Sequence, residues 1–96
     1  MLDVPGRAWK VYQGLRMQYK HHVILIALPG FYIAFGRDAR IVAKTPWQLR
    51  PVGELAKTRH GQVWTVNSGF VDDLVKALLL TGNDVVKIDS LGGSEE

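Results

Sequence analysis

The sequence predicts an α/β (α+β) domain in which about three helices pack on a mixed β-sheet. Two observations predict this class. Apolar residues recur at helical spacing near both ends of the chain, and two short apolar segments between them flank a Pro-Gly pair. The resulting order is helix, hairpin, helix, strands, helix, strand, and each helix buries its apolar face if it packs on a sheet.

The length of the chain predicts one domain. Its 96 residues, of which 47% are hydrophobic, support a single core and are too few for two. We expect a single domain over residues 1–90 and a flexible tail over residues 91–96. The longest apolar run is far shorter than a membrane span, and the first residues lack the apolar stretch of a signal peptide. We therefore expect a cytoplasmic protein with no membrane partner.

The first element is an amphipathic helix over residues 7–20, predicted from apolar side chains at helical spacing. We expect its tyrosines on the buried side. Arg16 and Lys20 are one turn apart, and we expect both on the outer side. The apolar positions are Ala8, Val11, Tyr12, Leu15 and Tyr19.

A β-hairpin follows the helix. Residues 23–28 are uniformly apolar and begin with β-branched side chains, which is typical of a strand covered on both faces. Residues 31–35 alternate between two sets of apolar side chains and predict a second strand. Because Pro29 and Gly30 favour a turn, the two strands should pair antiparallel.

The middle of the chain predicts a short helix and two further strands. The helix covers residues 37–44, and Pro46 ends it because the residue before a proline disfavours helical backbone. Residues 47–52 and 62–66 are strand candidates. The polar residues 53–61 predict a loop between them.

The last part of the chain predicts a helix over residues 69–81, packed on the sheet. Ser68 is a candidate N-cap, and Gly82 is suited to end the helix. Residues 85–88 predict the last strand.

The charge of the chain is distributed unevenly. Residues 1–60 contain ten basic and three acidic residues, a net charge of +7, whereas residues 61–96 have a net charge of −4. This asymmetry suits a surface that attracts a polyanion on one side. The alternative is a solvated surface whose asymmetry arose by chance.

Three basic residues form a stripe on the predicted helix 37–44. Arg37, Arg40 and Lys44 stand at positions i, i+3 and i+7 and therefore share one side of the helix. They are candidate contacts to phosphates, which fix position without reading sequence. The alternative is a solvated helix face.

The sequence offers little for catalysis. It lacks cysteine, which excludes disulfides and thiolate metal sites, and it lacks the G-x-x-x-x-G-K-[ST] loop of ATPases. Glu54 and Lys57 would lie on opposite faces of a strand. His21, His22 and His60 are too few convergent ligands for a catalytic zinc site. We expect no enzymatic activity, no cofactor and no bound metal.

Three segments resemble a known family. Residues 29–40, P-G-F-Y-I-A-F-G-R-D-A-R, resemble the motif G-D-F-Y-E-L-F-x-D-D-A in the N-terminal mismatch-recognition domain of the MutS DNA-repair family. Residues 12–19 resemble its Y-L-x-I-K-x-Q-Y, and residues 70–89 resemble its closing helix, terminal glycine and V-A-I-x-E strand. The resemblance covers residues 11–44 and 62–89 in the family's order and spacing, and it is poor between them. It implies the fold predicted above.

The resemblance also implies a binding mode. In the family, the phenylalanine wedges into the base stack at a mismatch, and Phe31 stands at that position, followed by Tyr32. A glutamate two residues after the phenylalanine hydrogen-bonds the displaced base, and Ile33 replaces it here. The sequence looks most like the partner subunits of eukaryotic heterodimers that also lack this glutamate. Because Ile33 has no polar group, base-specific readout should be lost.

From the residues alone, Phe31 has an alternative role, in which it begins a strand and fills the edge of the core. With the resemblance included, the first function we expect is a stand-alone, non-catalytic nucleic-acid-binding module with weak sequence or mismatch specificity. Its partner would be DNA or another nucleic acid. The candidate contact residues are Phe31, Tyr32, Arg37, Arg40 and Lys44.

The alternative function is a protein-interaction or regulatory module that keeps the fold without DNA binding. Tryptophan side chains often anchor protein interfaces. Trp9, Trp47 and Trp64 would favour this alternative if they were exposed, and each of them would equally suit a core.

Overall fold

The structure, a computed structural model, describes residues 5–45 and 53–89. Its elements follow the predicted order, but a strand occupies residues 53–58, where a loop is predicted. They are α1 (Gly6–Gln18), β1 (Val23–Leu28), β2 (Phe31–Phe35), α2 (Gly36–Lys44), β3 (Gly53–Thr58), β4 (Gly61–Asn67), a 3-10 turn (Ser68–Phe70), α3 (Val71–Leu80) and β5 (Val85–Ile88).

The described strands form one mixed sheet in the order β3-β4-β2-β1-β5. β5 runs parallel to β1, with Val23 opposite Val85, and the other neighbouring strands are antiparallel. The turn between β1 and β2 places Gly30 at φ 86°, a backbone conformation that glycine adopts without steric cost. The predicted mixed sheet, its antiparallel pair and the packed helices are confirmed.

Helices cover both faces of the sheet. We call the side covered by α1 the first face and the side covered by α2 and α3 the second face. Because side chains alternate along a strand, β1 and β2 contribute to both cores. The first core contains Ala8, Tyr12, Ile24, Ile26, Leu28, Ile33, Phe35 and Val63. The second contains Val23, Leu25, Tyr32, Ala34, Ala39, Val42, Trp64, Val66, Val71, Leu74 and Leu78.

The predicted loop over residues 53–61 is wrong. Residues Gly53–Thr58 form β3, which pairs along its whole length with β4, and only Arg59 and His60 turn the chain. β3 stands at the edge of the sheet, and an edge strand tolerates polar side chains because pairing uses the backbone. The strand candidate over residues 47–52 lies outside the described residues.

The helix limits also differ from prediction. α1 ends at Gln18 and α3 begins at Val71, because Ser68–Phe70 form a 3-10 turn. The cap of that turn is Asn67, whose side chain accepts a hydrogen bond from the amide of Gly69 at 2.8 Å, so Ser68 is not the N-cap. The domain limit at residue 90 and the flexible tail stay predictions.

Candidate nucleic-acid interface

Phe31 lies at one end of the sheet, as the first residue of β2. Its backbone is paired with Leu28 across the turn and with Asn67 of β4. The side chain is half-buried and packs against the first core, on the same side as Phe35. Part of the ring therefore reaches solvent next to an exposed Pro-Gly turn.

A second phenylalanine lies at the same end of the sheet. The amide of Ser68 donates to the carbonyl of Gly30 at 3.2 Å, which joins the 3-10 turn to the β1–β2 turn. Phe70, the last residue of the 3-10 turn, is 39% exposed. Neither turn contains a charged residue, but the exposed carboxylate of Asp89, which follows β5, lies at the same end of the sheet.

Tyr32 points to the opposite face and is buried in the second core. Its hydroxyl donates to the carboxylate of Asp89 at 2.7 Å, and Lys87 Nζ lies 3.3 Å from the same carboxylate and 5.5 Å from the ring centroid. The hydrogen bonds from Tyr32 and Lys87 lower the pKa of Asp89. Tyr32 thus ties β2 to the residue that follows β5 and is not displayed beside Phe31.

The basic stripe occupies the outer side of α2. The inner side carries Asp38, Ala39 and Val42, all buried. Arg40 and Lys44 are exposed, and neither forms a hydrogen bond or ion pair with any described residue. At 3.6 residues per turn both point away from the sheet.

Arg37 begins the stripe but is engaged by the protein. Its guanidinium donates to the carbonyls of Lys20 and His21 at 3.1 and 3.3 Å, and its Nε lies 3.6 Å from Asp38. The exposed part of this side chain is therefore held against the connection between α1 and β1.

The carboxylate of Asp38 is fully buried and has an arginine partner. Nη1 of Arg16 lies 2.8 and 2.9 Å from its two oxygens, and the amide of Ile24 donates to it at 3.1 Å. Burial raises the pKa of Asp38, and the Ile24 amide and the Arg16 charge offset part of that rise. The expectation that Arg16 lies on the outer side of its helix is wrong, because this buried carboxylate draws it inward.

Comparison with known proteins decides the family. A family model described as MutS domain I matches residues 7–96. The chain belongs to the MutS domain I family. No match was found among curated proteins or among solved structures.

Because the chain belongs to the MutS domain I family, the burial of Ile33 bears on its expected binding mode. This residue is fully buried on the first face, between Phe31 and Phe35. In the resemblance described above, its position is that of a glutamate that bonds a base. Here the position is apolar and fully buried.

The structure does not bring the five candidate residues to one surface. Phe31 and the start of α2 lie at opposite ends of β2, about 14 Å apart in an extended strand. Phe31 also packs on the first face, whereas α2 lies on the second. This MutS domain I therefore displays an aromatic sheet end and a separate basic stripe, and Tyr32 belongs to the second core.

Two of the tryptophans lie in packed surroundings. Trp64 is buried in the second core. Trp9 is half-buried, and the ring of His60 stacks on it with centroids 4.7 Å apart and planes inclined by 12°. Trp47 lies outside the described residues.

The described residues lack two further features, a group of metal ligands and a membrane-spanning helix. Within residues 5–45 and 53–89, no three histidine or acidic side chains are grouped so as to hold a metal ion. In the same part of the chain, no helix has the length and hydropathy needed to cross a membrane.

Proposed function

We propose that this MutS domain I is a non-catalytic nucleic-acid-binding module whose partner is DNA and whose sequence or mismatch specificity is weak. The observation that carries the proposal is the pair Arg40 and Lys44, two exposed cations on the outer side of α2 without a partner among the described residues. Uncompensated cations on one side of a helix attract a phosphate backbone without reading its bases.

The acidic residues support an orientation for the bound DNA. Asp38, the acidic residue of α2, is buried and paired with Arg16. Of the other acidic residues within 56–89, Asp72 and Asp73 stand in the first turn of α3 and Asp89 follows β5, near the end of the sheet where β2 begins, whereas Asp84 precedes β5 and its carbonyl accepts a hydrogen bond from the amide of Val23. A polyanion would therefore approach α2 and avoid α3.

Weak specificity follows from the surroundings of Phe31. Its half-exposed ring can stack on a base, and stacking tolerates every base because each has a π-face. Ile33 supplies no hydrogen bond and is covered. Phe31 would therefore favour unpaired or bent DNA without distinguishing one mismatch from another.

The proposal is tested by the salt dependence of affinity. Fluorescence anisotropy would measure the Kd of the protein for a labelled duplex, a mismatched duplex and a single strand at several salt concentrations. Lys44→Gln should weaken binding to all three roughly two- to fivefold, the worth of one exposed ion pair, and should reduce the duplex salt slope by about 0.9. Lys76→Gln, an exposed lysine on α3, is the matched control and should change neither. Absence of binding at low salt, or equal effects of the two variants, would overturn the proposal.

The absence of catalysis is part of the same proposal. Incubation of the labelled duplex with the protein and Mg²⁺ should leave its length unchanged. Shortened DNA that no longer forms after the protein is removed by immunodepletion would contradict this expectation.

The alternative, a protein-interaction or regulatory module, is favoured by a different observation. At the C-terminal end of α3, Leu79 is 55% exposed and Leu80 is 82% exposed. Trp64 and Trp9 no longer favour it, because one is core and the other is stacked. If the protein binds no nucleic acid at low salt, and Leu80→Ser changes its behaviour in sedimentation, this alternative replaces the first.

A further inference from the structure

The connection between α1 and β1, residues 19–22, has all four of its carbonyl groups bound by two arginines. Arg16 Nη2 donates to the carbonyl of Tyr19 at 2.7 Å and to that of His22. Arg37 donates to the two carbonyls between them, at 3.1 and 3.3 Å. A connection without regular secondary structure is thus fixed by side chains from α1 and α2.

A single buried carboxylate anchors both arginines. Asp38 accepts two hydrogen bonds from Arg16 and lies 3.6 Å from Nε of Arg37. It also accepts a hydrogen bond from the amide of Ile24, the second residue of β1. We call Arg16, Arg37 and Asp38 the arginine clamp, because together they hold α1, β1 and α2 around the connection.

The clamp sets the place of Lys20. With its carbonyl bonded to Arg37, the backbone of Lys20 lies at the N-terminal end of the basic stripe. The Lys20 side chain is exposed and has no hydrogen-bond or ion-pair partner among the described residues. Arg40 and Lys44 stand further along α2, and Lys44 is about 10 Å from Arg37 along the helix axis.

Arg37 itself has little freedom to reach a phosphate. Of its five N–H donors, one on each terminal nitrogen serves the connection, and Nε faces Asp38 at 3.6 Å, so the orientation of the guanidinium plane is fixed. A phosphate that turned the guanidinium out of this orientation would release the carbonyls of Lys20 and His21. Because the connection is ordered in advance, Lys20 can bind an anion without the cost of fixing a mobile loop.

We infer that the phosphate-binding surface consists of Lys20, Arg40 and Lys44, and that Arg37 is a positioning residue that, with Arg16 and Asp38, holds Lys20 in that surface. The inference rests on the proposed function. Relative to the basic stripe, it adds Lys20 to the residues that contact phosphate and removes Arg37 from them.

Single-charge variants test the surface. Lys20→Gln and Lys44→Gln should each weaken duplex binding roughly two- to fivefold and reduce the salt slope by about 0.9, while Lys76→Gln leaves both unchanged. If Lys20→Gln behaves like Lys76→Gln while Lys44→Gln weakens binding, the inference is overturned and the proposed function stands. If neither Lys20→Gln nor Lys44→Gln differs from the control, both are overturned.

Arg37→Lys tests the positioning role. Lysine keeps the charge but lacks the planar group with which Arg37 bonds two carbonyls beside the Asp38 carboxylate. A positioning role predicts that Arg37→Lys weakens binding in the parent protein and has no further effect in the Lys20→Gln background. Direct phosphate contact predicts near-normal affinity for Arg37→Lys, with Arg37→Gln weakening binding equally in both backgrounds. That second pattern would overturn the inference. Circular dichroism of each variant confirms that it is folded.

Discussion

Arg16 and Asp38, separated by 22 residues in the chain, form an ion pair in which one guanidinium nitrogen lies within 2.9 Å of both carboxylate oxygens. The carboxylate is fully buried, and the arginine side chain is 23% exposed. The pair joins the last turn of α1 to the first turn of α2. It therefore fixes the helix that carries the basic stripe.

Removal of the Asp38 charge should destabilise the fold strongly. Asp38→Asn leaves Arg16 without its counter-ion, and loss of one partner of a buried ion pair costs roughly 3–5 kcal/mol. Urea unfolding measures the change. The control is Asp73→Asn, an exposed carboxylate on α3, which should change the free energy of unfolding by less than about 0.5 kcal/mol. Similar losses in both variants would show that the pair does not hold the fold.

The contact between Tyr32 and Asp89 should be visible in a titration. Hydrogen bonds from Tyr32 and Lys87 lower the pKa of Asp89. A carboxyl group with a lowered pKa in the folded state stabilises the fold above its unfolded pKa, and this stability is lost as the pH falls through the folded pKa. In Tyr32→Phe, the Asp89 pKa should rise toward its ordinary value, as followed by carboxyl-carbon NMR. Tyr19→Phe is the control, and a shift of equal size in that variant would refute the contact.

Phe31→Ala should lower the free energy of unfolding less than truncation of the core residue Phe35 does. It should weaken binding to unpaired DNA more than Phe35→Ala does. The side chain is half-buried, so we expect a loss of roughly 1–2 kcal/mol, against roughly 3–5 kcal/mol for the fully buried Phe35→Ala. Urea unfolding and affinity for unpaired DNA would be measured on the same samples. If Phe31→Ala loses as much stability as Phe35→Ala, Phe31 is a core residue and not a contact.

Restoring the family's glutamate should not restore mismatch recognition. Ile33 is fully buried, so Ile33→Glu places a carboxyl group in an apolar core, at a cost of about 3 kcal/mol or more. Thermal unfolding should show the loss, and the folded fraction should gain no preference for a mismatched duplex. A stable Ile33→Glu protein that discriminates mismatches would mean that this position faces the ligand.

Local patterns predicted the centre of the sheet correctly. Residues 23–28 are apolar because helices cover both faces of β1, and the Pro-Gly pair supplies the backbone that the turn requires. β3 was missed because it lies at an edge and its side chains need not alternate. For such a strand the pairing partner, β4, determines the structure.

The site was predictable in part. Helical spacing correctly placed Arg40 and Lys44 on one exposed side of α2. The inward turn of Arg16 and the engagement of Arg37 were not predictable, because their partners, Asp38 and the carbonyls of the connection 19–22, are distant in sequence or belong to the backbone. The motif of residues 29–40 contained Asp38, but its role as a buried anchor depends on the packing of three elements.

The central claim is that DNA binds on the α2 side of this MutS domain I. A titration of the ¹⁵N-labelled protein with a short duplex at low salt, followed by amide chemical shifts, tests it most directly. We expect the largest shifts at Lys20, Arg40 and Lys44, smaller shifts around Phe31, and little change at Leu79 and Leu80. Shifts concentrated at Leu79 and Leu80, or no shifts at any DNA concentration, would contradict the account.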